Sequence, residues 1–256
     1  MKHLILSALL LAVSFSSFAQ SQRPQPAPAS PQNTIHFVYG QGDSTFVGRV
    51  CYSAYAEANA AAGDADVVFI GDSITQNWYA FHHGFFDNNG FLARGISGQT
   101  SIEILCRFQQ DVVKHHPKVV VMMVGTNDVA GNVGTISDEC YLDNIASACA
   151  IAKGNGIKML LCSIPPCDFF FWSQDIKPGA RIISLNEKLK AYAVENDIQY
   201  VDYFAVLNNG ADGMIAEYTS DHCHPTPLGY NVMERLVVNE INKALGTETD
   251  YFVTTD

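Results

Sequence analysis

The sequence is poor in basic residues, and after its amino-terminal segment it has no apolar run long enough to span a bilayer. Its 256 residues include 15 Lys and Arg against 26 Asp and Glu, a formal net charge of −11 at pH 7. A chain with this charge repels nucleic-acid phosphates and anionic membranes. We therefore expect no nucleic-acid partner and no stable membrane anchor.

The long apolar stretch of the chain lies at its amino terminus, at residues 4–15. It follows Lys2 and is succeeded by small residues up to Ala19, which is the order of charged, apolar and small residues in secretory signal peptides. It is shorter than the roughly 20 residues that a membrane-spanning helix needs. The sequence thus predicts a signal peptide at 1–19, cleaved near Ala19, and a periplasmic or secreted protein.

Cysteine is too sparse and too widely spaced for a disulfide scaffold or a Cys-based zinc module. The seven cysteines are at positions 51, 106, 140, 149, 162, 167 and 223. Cys162 and Cys167 are near enough in sequence to close a small loop in an exported protein. The alternative is that most of the cysteines are small buried residues of the core.

Composition divides the rest of the chain into three parts. Residues 20–33 are rich in Pro, Gln and Ser, which predicts an extended linker. Residues 34–246 have the length and apolar content of one domain. Residues 247–256 are mostly polar and acidic, and we expect them to form a loose carboxy-terminal tail.

Apolar runs alternate with segments of helical spacing throughout residues 34–246. The strand-like runs are residues 67–70, 119–124, 157–164 and 198–201, with a weaker run at 91–93. The helical segments are residues 46–62, 101–115, 137–153, 178–195 and 227–245. This alternation predicts a single doubly wound α/β domain, with helices on both faces of a mainly parallel sheet of about five strands.

Residues with potential chemistry follow the predicted strands, so they should meet at one edge of the sheet. Ser73 comes directly after the first strand, in Gly71-Asp72-Ser73, and is the candidate nucleophile. Backbone N–H groups of Ser73 and Gly98, and the side-chain amide of Asn127, are candidate donors to an oxyanion. Asp72, like Asp128 after a later strand, is more simply a carboxylate that braces a loop.

A serine nucleophile needs a base, and the base needs a group that orients it. Asp221 and His224 lie three residues apart in one loop and could supply both. His222 is a rival base, but its position next to Asp221 is unfavourable for an Asp–imidazole contact. A metal site in residues 221–224 is the other alternative; adjacent residues rarely chelate one ion, so we expect no metal.

Four sequence blocks, in this order, resemble the GDSL or SGNH hydrolase family. They are Gly71-Asp72-Ser73-Ile74, residues 96–100 around Gly98, residues 125–128 around Asn127, and Asp221-x-x-His224-Pro225. The chain is especially similar to the subgroup of platelet-activating-factor acetylhydrolase subunits and exported bacterial esterases. It departs from the family pattern at His222, where the family often has Gly.

The resemblance implies a flavodoxin-like sheet and a serine esterase that needs no cofactor. It implies Ser73 as nucleophile, His224 as base and Asp221 as the partner of the base. It also implies an oxyanion hole formed by Ser73, Gly98 and Asn127. A rival within enzymes, the α/β-hydrolases, would need a Gly-x-Ser-x-Gly pentapeptide, which the chain lacks.

Aromatic residues cluster near the candidate site in sequence. Trp78 follows the nucleophile, and Phe169, Phe170, Phe171 and Trp172 follow the third strong strand. They are candidate substrate-shaping residues that could wall an acyl pocket or stack on a sugar, or they could simply cover the sheet edge. The histidine pairs at 82–83 and 115–116 are expected to be solvated or to cap helix ends.

The sequence therefore predicts an exported serine ester hydrolase that removes short acyl groups, such as acetyl, from glycans or other small esters. Cleavage of lysophospholipids or thioesters would use the same residues. A non-catalytic carbohydrate-binding protein is a further alternative, although such a protein would have no need of an intact Ser, Asp and His set. The sequence does not determine the oligomeric state.

Overall fold

A five-stranded parallel sheet organises the computed structural model, which describes residues 29–35 and 50–255. The strand order is β2-β1-β3-β4-β5, with each neighbouring pair parallel. The strands are β1 (Val67–Gly71), β2 (Leu92–Gly95), β3 (Val119–Met123), β4 (Lys158–Cys162) and β5 (Gln199–Val201). This is the flavodoxin-like order, in which β2 is added on one side of β1 and the later strands on the other side, so that the strand order switches between β1 and β3.

Helices cover both faces of the sheet. They are α1 (Ala56–Ala62), α2 (Ser73–Phe81), α3 (His83–Asn89), α4 (Ser101–Asp111), α5 (Thr126–Val129), α6 (Asp138–Gly154), α7 (Gly179–Glu195), α8 (Tyr203–Leu207) and α9 (Pro227–Leu245). Short 3₁₀ turns occur at Pro31–Asn33, Val113–His115 and Ala216–Tyr218. The predicted doubly wound α/β domain with a five-stranded parallel sheet is confirmed.

The central strands are apolar on both faces because each face is covered. Every residue of β1 and β3 is buried, as parallel strands between helix layers require. On one face, Val68 packs in a core with Ile104 of α4 and Leu185 of α7. On the other face, Phe69 packs with Trp78 of α2. Alternate residues of one strand therefore supply two separate cores.

Several element boundaries differ from the predicted ones. The strand predicted at 91–93 is Leu92–Gly95, and the helix predicted at 101–115 ends at Asp111. There Val112 leaves helical geometry, with φ −124° and ψ −67°, and a 3₁₀ turn follows. Of the helix predicted at 46–62, the structure gives Ala56–Ala62; residues 36–49 are outside its described part.

The end of the predicted linker packs against the domain. Asn33 is buried, donates to the Phe91 carbonyl over 3.0 Å and accepts from the Ala93 N–H over 2.7 Å. These bonds attach the segment to the start of β2, so residues 29–33 are not an extended spacer. The predicted signal peptide lies outside the described residues.

The carboxy-terminal segment, expected to be loose, also packs against the domain. The Tyr251 ring lies 5.2 Å from the Phe91 ring, and the Thr254 N–H donates to Glu234 Oε2 over 2.6 Å. Glu234 is fully buried in α9 and also accepts from Trp78 Nε1 over 3.1 Å. A buried carboxylate needs such donors. The polar composition of the carboxy-terminal segment did not indicate that it would supply a donor to a buried side chain.

Two of the histidines expected to be solvated or capping are buried. His82 Nδ1 lies 2.7 Å from Glu234 Oε1, inside the core. His115 lies with its two ring nitrogens 2.7 Å from the Gly63 carbonyl and 2.9 Å from Asn59 Oδ1. Solvation was the wrong expectation for both, because distant elements bury them and supply their partners, although His82 does lie at a helix end, between α2 and α3.

Four of the seven cysteines are buried: Cys149, Cys162, Cys167 and Cys223. Cys162 packs in the core that contains Phe69, whereas Cys167 packs in the opposite core, with Val68. The considered Cys162–Cys167 pair is therefore separated by the sheet, and the prediction of buried core cysteines holds for the majority. No helix within residues 29–35 and 50–255 has the length and apolarity to cross a membrane.

The close approach of α2 to β2 depends on Gly95. A Cβ atom at this position would lie 2.6 Å from the Thr75 carbonyl carbon and 2.8 Å from the Asp72 carbonyl oxygen. Backbone atoms of a packed helix cannot yield easily, so we expect Gly95→Ala to destabilise the fold by about 3 kcal/mol. Chemical denaturation measures the change.

Gly154→Ala is the matched control, because nothing lies within 4 Å of the added Cβ and the residue is helical. This variant should be neutral or more stable by about 0.5–1 kcal/mol. Equal stability of the two variants would contradict the proposed contact.

Candidate active site

The candidate nucleophile lies where β1 passes into α2. Asp72 caps the helix, accepting the Ile74 N–H on Oδ1 over 2.9 Å. Ser73 is the first residue of α2, so its own N–H has no partner within the helix. The helix dipole also places partial positive charge at this end. The local fold thus presents a hydroxyl and a backbone donor together at the carboxyl edge of the sheet.

Ser73, His224 and Asp221 form a continuous chain of side-chain contacts. Ser73 Oγ lies 2.9 Å from His224 Nε2, and His224 Nδ1 lies 2.7 Å from Asp221 Oδ2. The second Asp221 oxygen accepts the backbone N–H of His224 over 2.7 Å and that of Cys223 over 3.0 Å. The carboxylate therefore holds both the backbone and the ring of His224.

Asp221 is suited to remain charged in this position. Burial raises the pKa of its carboxyl, but the hydrogen bonds from the His224 backbone, the His224 ring and the Cys223 backbone outweigh burial. The pKa of Asp221 consequently lies below its usual value. A charged carboxylate at Nδ1 keeps the proton on that nitrogen and leaves Nε2 as the acceptor that faces Ser73.

His222 points away from this chain of contacts. It is exposed, has a positive φ of 72°, and its Nδ1 lies 3.0 Å from Asp168 Oδ1. Of the two histidines considered as the base, His224 is the one for which the structure describes a contact with Ser73. A positive φ is uncommon for residues other than Gly. This backbone conformation lets the side chains of residues 222 and 224 point in different directions.

The two other candidate oxyanion donors lie on the loops that follow β2 and β3, the strands on either side of β1. Gly98 has φ +79°, a conformation that disfavours any residue with a side chain. A Cβ there would come no nearer than 3.8 Å to Asn132 Nδ2. The backbone conformation, more than lack of space in the protein, therefore accounts for this glycine.

Asn127 is held by three neighbours in the same place. Its side-chain nitrogen donates to the Gln99 carbonyl over 3.0 Å and to Asp72 Oδ2 over 3.2 Å. Its oxygen accepts from Asn132 Nδ2 over 2.8 Å, and Asn132 also donates to the Gly98 carbonyl over 3.1 Å. Asn132 thus fixes the direction of the Asn127 amide and the position of the Gly98 peptide.

The two buried aspartates near the site brace loops, as the sequence indicated. Burial raises the pKa of Asp72 to about 6, against hydrogen bonding from Ile74 and the nearby His224. Burial likewise raises the pKa of Asp128 to about 6, opposed by hydrogen bonds from Ser101. Asp128 accepts both the backbone N–H and the hydroxyl of Ser101, over 2.9 and 2.5 Å, which ties α5 to α4.

The aromatic candidates separate into different environments. Trp172 is 36% exposed, its ring lies 6.0 Å from that of His224, and its Nε1 donates to Asn132 Oδ1 over 3.2 Å. Phe171 is exposed next to it, Phe169 contacts the His222 ring at 6.0 Å, and Phe170 is buried in the core. Phe171 and Trp172 are thus the exposed members of this run, while Phe169 is half-buried.

Trp78 does not border the site, so its inclusion among the substrate-shaping candidates was wrong. Its side chain is 1% exposed and stacks between Phe85 and Tyr230, at 5.5 Å from each ring. The residue follows Ser73 by more than one helical turn, and the helix directs it into the core beneath the sheet edge. Proximity in sequence was a poor guide to proximity at the site.

Two residues of the site had no signal in the sequence. Asn132 follows Asn127 by five residues in an irregular loop, where its contacts depend on the fold alone. Arg107 is fully buried in α4; it donates to Gln99 Oε1 over 2.6 Å and to the Gly71 carbonyl over 2.8 Å. It also contacts Asp111, four residues further along α4, at 2.9 Å.

The chain is similar to a known protein family and to several known proteins. Residues 69–232 match the model of the GDSL-like Lipase/Acylhydrolase family. The curated protein YqeF of Bacillus subtilis (strain 168), an uncharacterized lipoprotein, is 31% identical over 121 residues. That match covers 41% of this chain and 50% of YqeF, so the chain spans about half of the relative's length.

Several solved structures share the fold. A protein of Bacteroides fragilis NCTC 9343 is 41% identical, with a TM-score of 0.74, covering 77% of this chain and 98% of its own. A GDSL-like lipase of Bacteroides thetaiotaomicron VPI-5482 is also 41% identical, with a TM-score of 0.73 and coverages of 76% and 98%. An acetylxylan esterase of Geobacillus stearothermophilus shares the fold at 20% identity, with a TM-score of 0.56 and coverages of 76% and 99%.

The raised pKa of Asp128 makes the stability of the fold depend on pH. A carboxyl with a pKa of about 6 when folded and 3.8 as its ordinary value binds its proton more tightly in the folded state. The free energy of unfolding should therefore fall as pH rises from about 4 to about 6, with Asp128 accounting for about 2–3 kcal/mol. Asp128→Asn removes this contribution.

Urea denaturation of the wild type and Asp128→Asn at pH 4 and pH 7 measures the effect. The wild type should lose stability relative to the variant between these pH values. A difference between the two proteins that is the same at both pH values would contradict the assignment.

Proposed function

Because the chain belongs to the GDSL-like lipase/acylhydrolase family, we propose that it is an exported serine ester hydrolase that acts through an acyl-enzyme on short acyl esters. The sequence-based resemblance to this family is confirmed by the family model. Membership gives the coarse activity, ester hydrolysis. The residues that perform it, the substrate and the location of the protein are the parts that we propose.

The observation that carries the proposal is the pair of contacts on His224. One ring nitrogen faces the Ser73 hydroxyl at 2.9 Å and the other faces Asp221 at 2.7 Å. In this arrangement Nε2 can accept the hydroxyl proton while Asp221 stabilises the imidazolium that results. A buried polar cluster with a purely structural role would not need an acceptor aimed at a hydroxyl at the first turn of a helix.

Ser73 Oγ is proposed to attack the ester carbonyl carbon as His224 Nε2 takes its proton. The negative charge on the carbonyl oxygen would meet the N–H groups of Ser73 and Gly98 and the side-chain amide of Asn127. The C–O bond to the alcohol then breaks, and the imidazolium returns the proton to the leaving oxygen. The product is an ester of Ser73.

Water completes the cycle by the same route. His224 Nε2 accepts a proton from water, whose oxygen attacks the acyl carbon, and the proton then passes to Ser73 Oγ as the acid departs. Both hydrogens of the Asn127 amide already have acceptors, Gln99 and Asp72. For Asn127 to donate to the oxyanion, one of these bonds, such as the 3.2 Å bond to Asp72 Oδ2, must be exchanged for a bond to the oxyanion.

The surroundings of His224 support a short acyl group. The Trp172 side chain is held by its hydrogen bond to Asn132, and its ring lies 6.0 Å from the His224 ring. The indole would therefore limit the space for an acyl chain beside the reacting atoms. An exposed indole also provides a flat surface for a sugar ring. An acetylxylan esterase shares this fold, and a lipoprotein relative is in keeping with export. We propose acetylated glycans or other small acetyl esters as substrates.

Substitution of the nucleophile and base tests the mechanism. Ser73→Ala and His224→Ala should each lower kcat/KM for a chromogenic acetate at least about 10³-fold, because the acyl-enzyme cannot form or the proton cannot be moved. Ser147→Ala, on the exposed face of α6, and His222→Ala serve as matched controls. If Ser73→Ala retains a kcat/KM near that of Ser147→Ala, the proposed nucleophile is wrong. If kcat/KM falls further in His222→Ala than in His224→Ala, His222 is the base instead.

The substrate proposal is tested by acyl-chain length. Rates on acetyl, butyryl and octanoyl esters of one alcohol should fall in that order, and acetylated sugars should be turned over. Trp172→Ala should narrow the difference between acetyl and octanoyl, whereas Phe81→Ala, exposed at the far end of α2, should not. A preference for octanoyl in the wild type would favour a lysophospholipase instead.

A further inference from the structure

Two loops lie side by side at the carboxyl edge of the sheet, and each has a buried cysteine. Cys167 lies in the loop between β4 and α7, two residues before the aromatic run of residues 169–172. Cys223 lies in the loop of the proposed base, next to His224. Both side chains are almost completely buried, and both belong to the core that contains Val68.

Contacts on either side fix the alignment of these loops. His222 Nδ1 lies 3.0 Å from Asp168 Oδ1, and the His222 and Phe169 rings lie 6.0 Å apart. Further along, Trp172 lies over His224. Cys167 and Cys223 each adjoin a member of the Asp168–His222 contact in sequence and pack in the same core, and their two side chains are hydrogen-bonded to each other. Interaction with Cys167, then burial, raises the pKa of the Cys223 thiol.

We propose that Cys167 and Cys223 are the site of a disulfide bond that fastens the loop of His224 to the loop of Trp172. An exported protein meets an oxidising environment in which such bonds persist, so this inference rests on the proposed export but not on the proposed catalysis. It assigns Cys167 a partner 56 residues away, in place of the nearby Cys162, which lies across the sheet.

The reaction is a thiol–disulfide exchange with a disulfide oxidant. One cysteine, as its thiolate, attacks a sulfur of the oxidant and releases one thiol from it. The second cysteine then attacks the mixed disulfide and releases the other. Two S–H bonds and the oxidant's S–S bond are lost, while the Cys167–Cys223 bond and two oxidant thiols form. Because the thiolate of Cys223 is disfavoured once buried, the exchange proceeds while the loops are still closing during folding.

Thiol counting on the full chain tests the proposal independently of any activity. Protein refolded with oxidised and reduced glutathione is denatured, alkylated and compared with a sample reduced beforehand. We expect two fewer alkylated cysteines in the oxidised sample, and a non-reducing peptide map that links the peptides of Cys167 and Cys223. Cys167→Ala and Cys223→Ala should abolish the link, while Cys162→Ala, equally buried on the other face, should retain it.

A thermal measurement gives a second result. Reduction should lower the Tm of the oxidised wild type by about 5–10 °C, because the bond restricts the unfolded chain, and should leave that of Cys167→Ala unchanged. Seven alkylated thiols in the oxidised wild type, or a link between any other pair, would overturn the proposal even if the substitutions prevented folding. If the oxidised wild type has the Cys167–Cys223 link but no esterase activity, the result counts against the proposed catalysis and not against the disulfide.

Discussion

The parallel pairing of β1 with both of its neighbours is the constraint on which the site depends. Gly71, the last residue of β1, pairs with Gly95 of β2 on one side and with Met123 of β3 on the other. The three strands therefore end level, and the loops that follow them begin at the same height. This register brings Ser73, the Gly98 loop and the Asn127 loop to one edge of the sheet, and the bonds of the Asn127 amide to Asp72 and Gln99 then join the loops.

Much of this arrangement could be predicted from the sequence. Fully apolar runs such as residues 67–70 and 119–124 identified buried strands, and helical spacing between them required parallel crossovers, so residues after each strand had to share an edge. The boundaries of α9 were predictable because Thr226 and Pro227 have the side chains that begin helices. Ser73 could be singled out by its position after a buried strand, and His224 by its spacing of three residues from Asp221.

The remaining features depended on partners that no local pattern specifies. Trp78 and Trp172 both stand near candidate residues in sequence, yet one is in the core and the other beside the site, since helix direction and loop path decide between them. Glu234 has the spacing of a buried helix position but the charge of an exposed one. Its donors come from α2 and from the segment around Thr254, and only the assembled fold brings them together. Asn132 supports two neighbours from an irregular loop for the same reason.

The contrast between the two tryptophans gives the molecule a built-in pair of optical reporters. The chain has no others: one indole is enclosed by aromatic rings, and the second lies partly in solvent beside the imidazole of the candidate site. Emission from the enclosed indole follows the integrity of the core. Emission from the second follows changes in the surroundings of the His224 ring, 6.0 Å away. One fluorescence spectrum therefore contains separate records of folding and of events at the site.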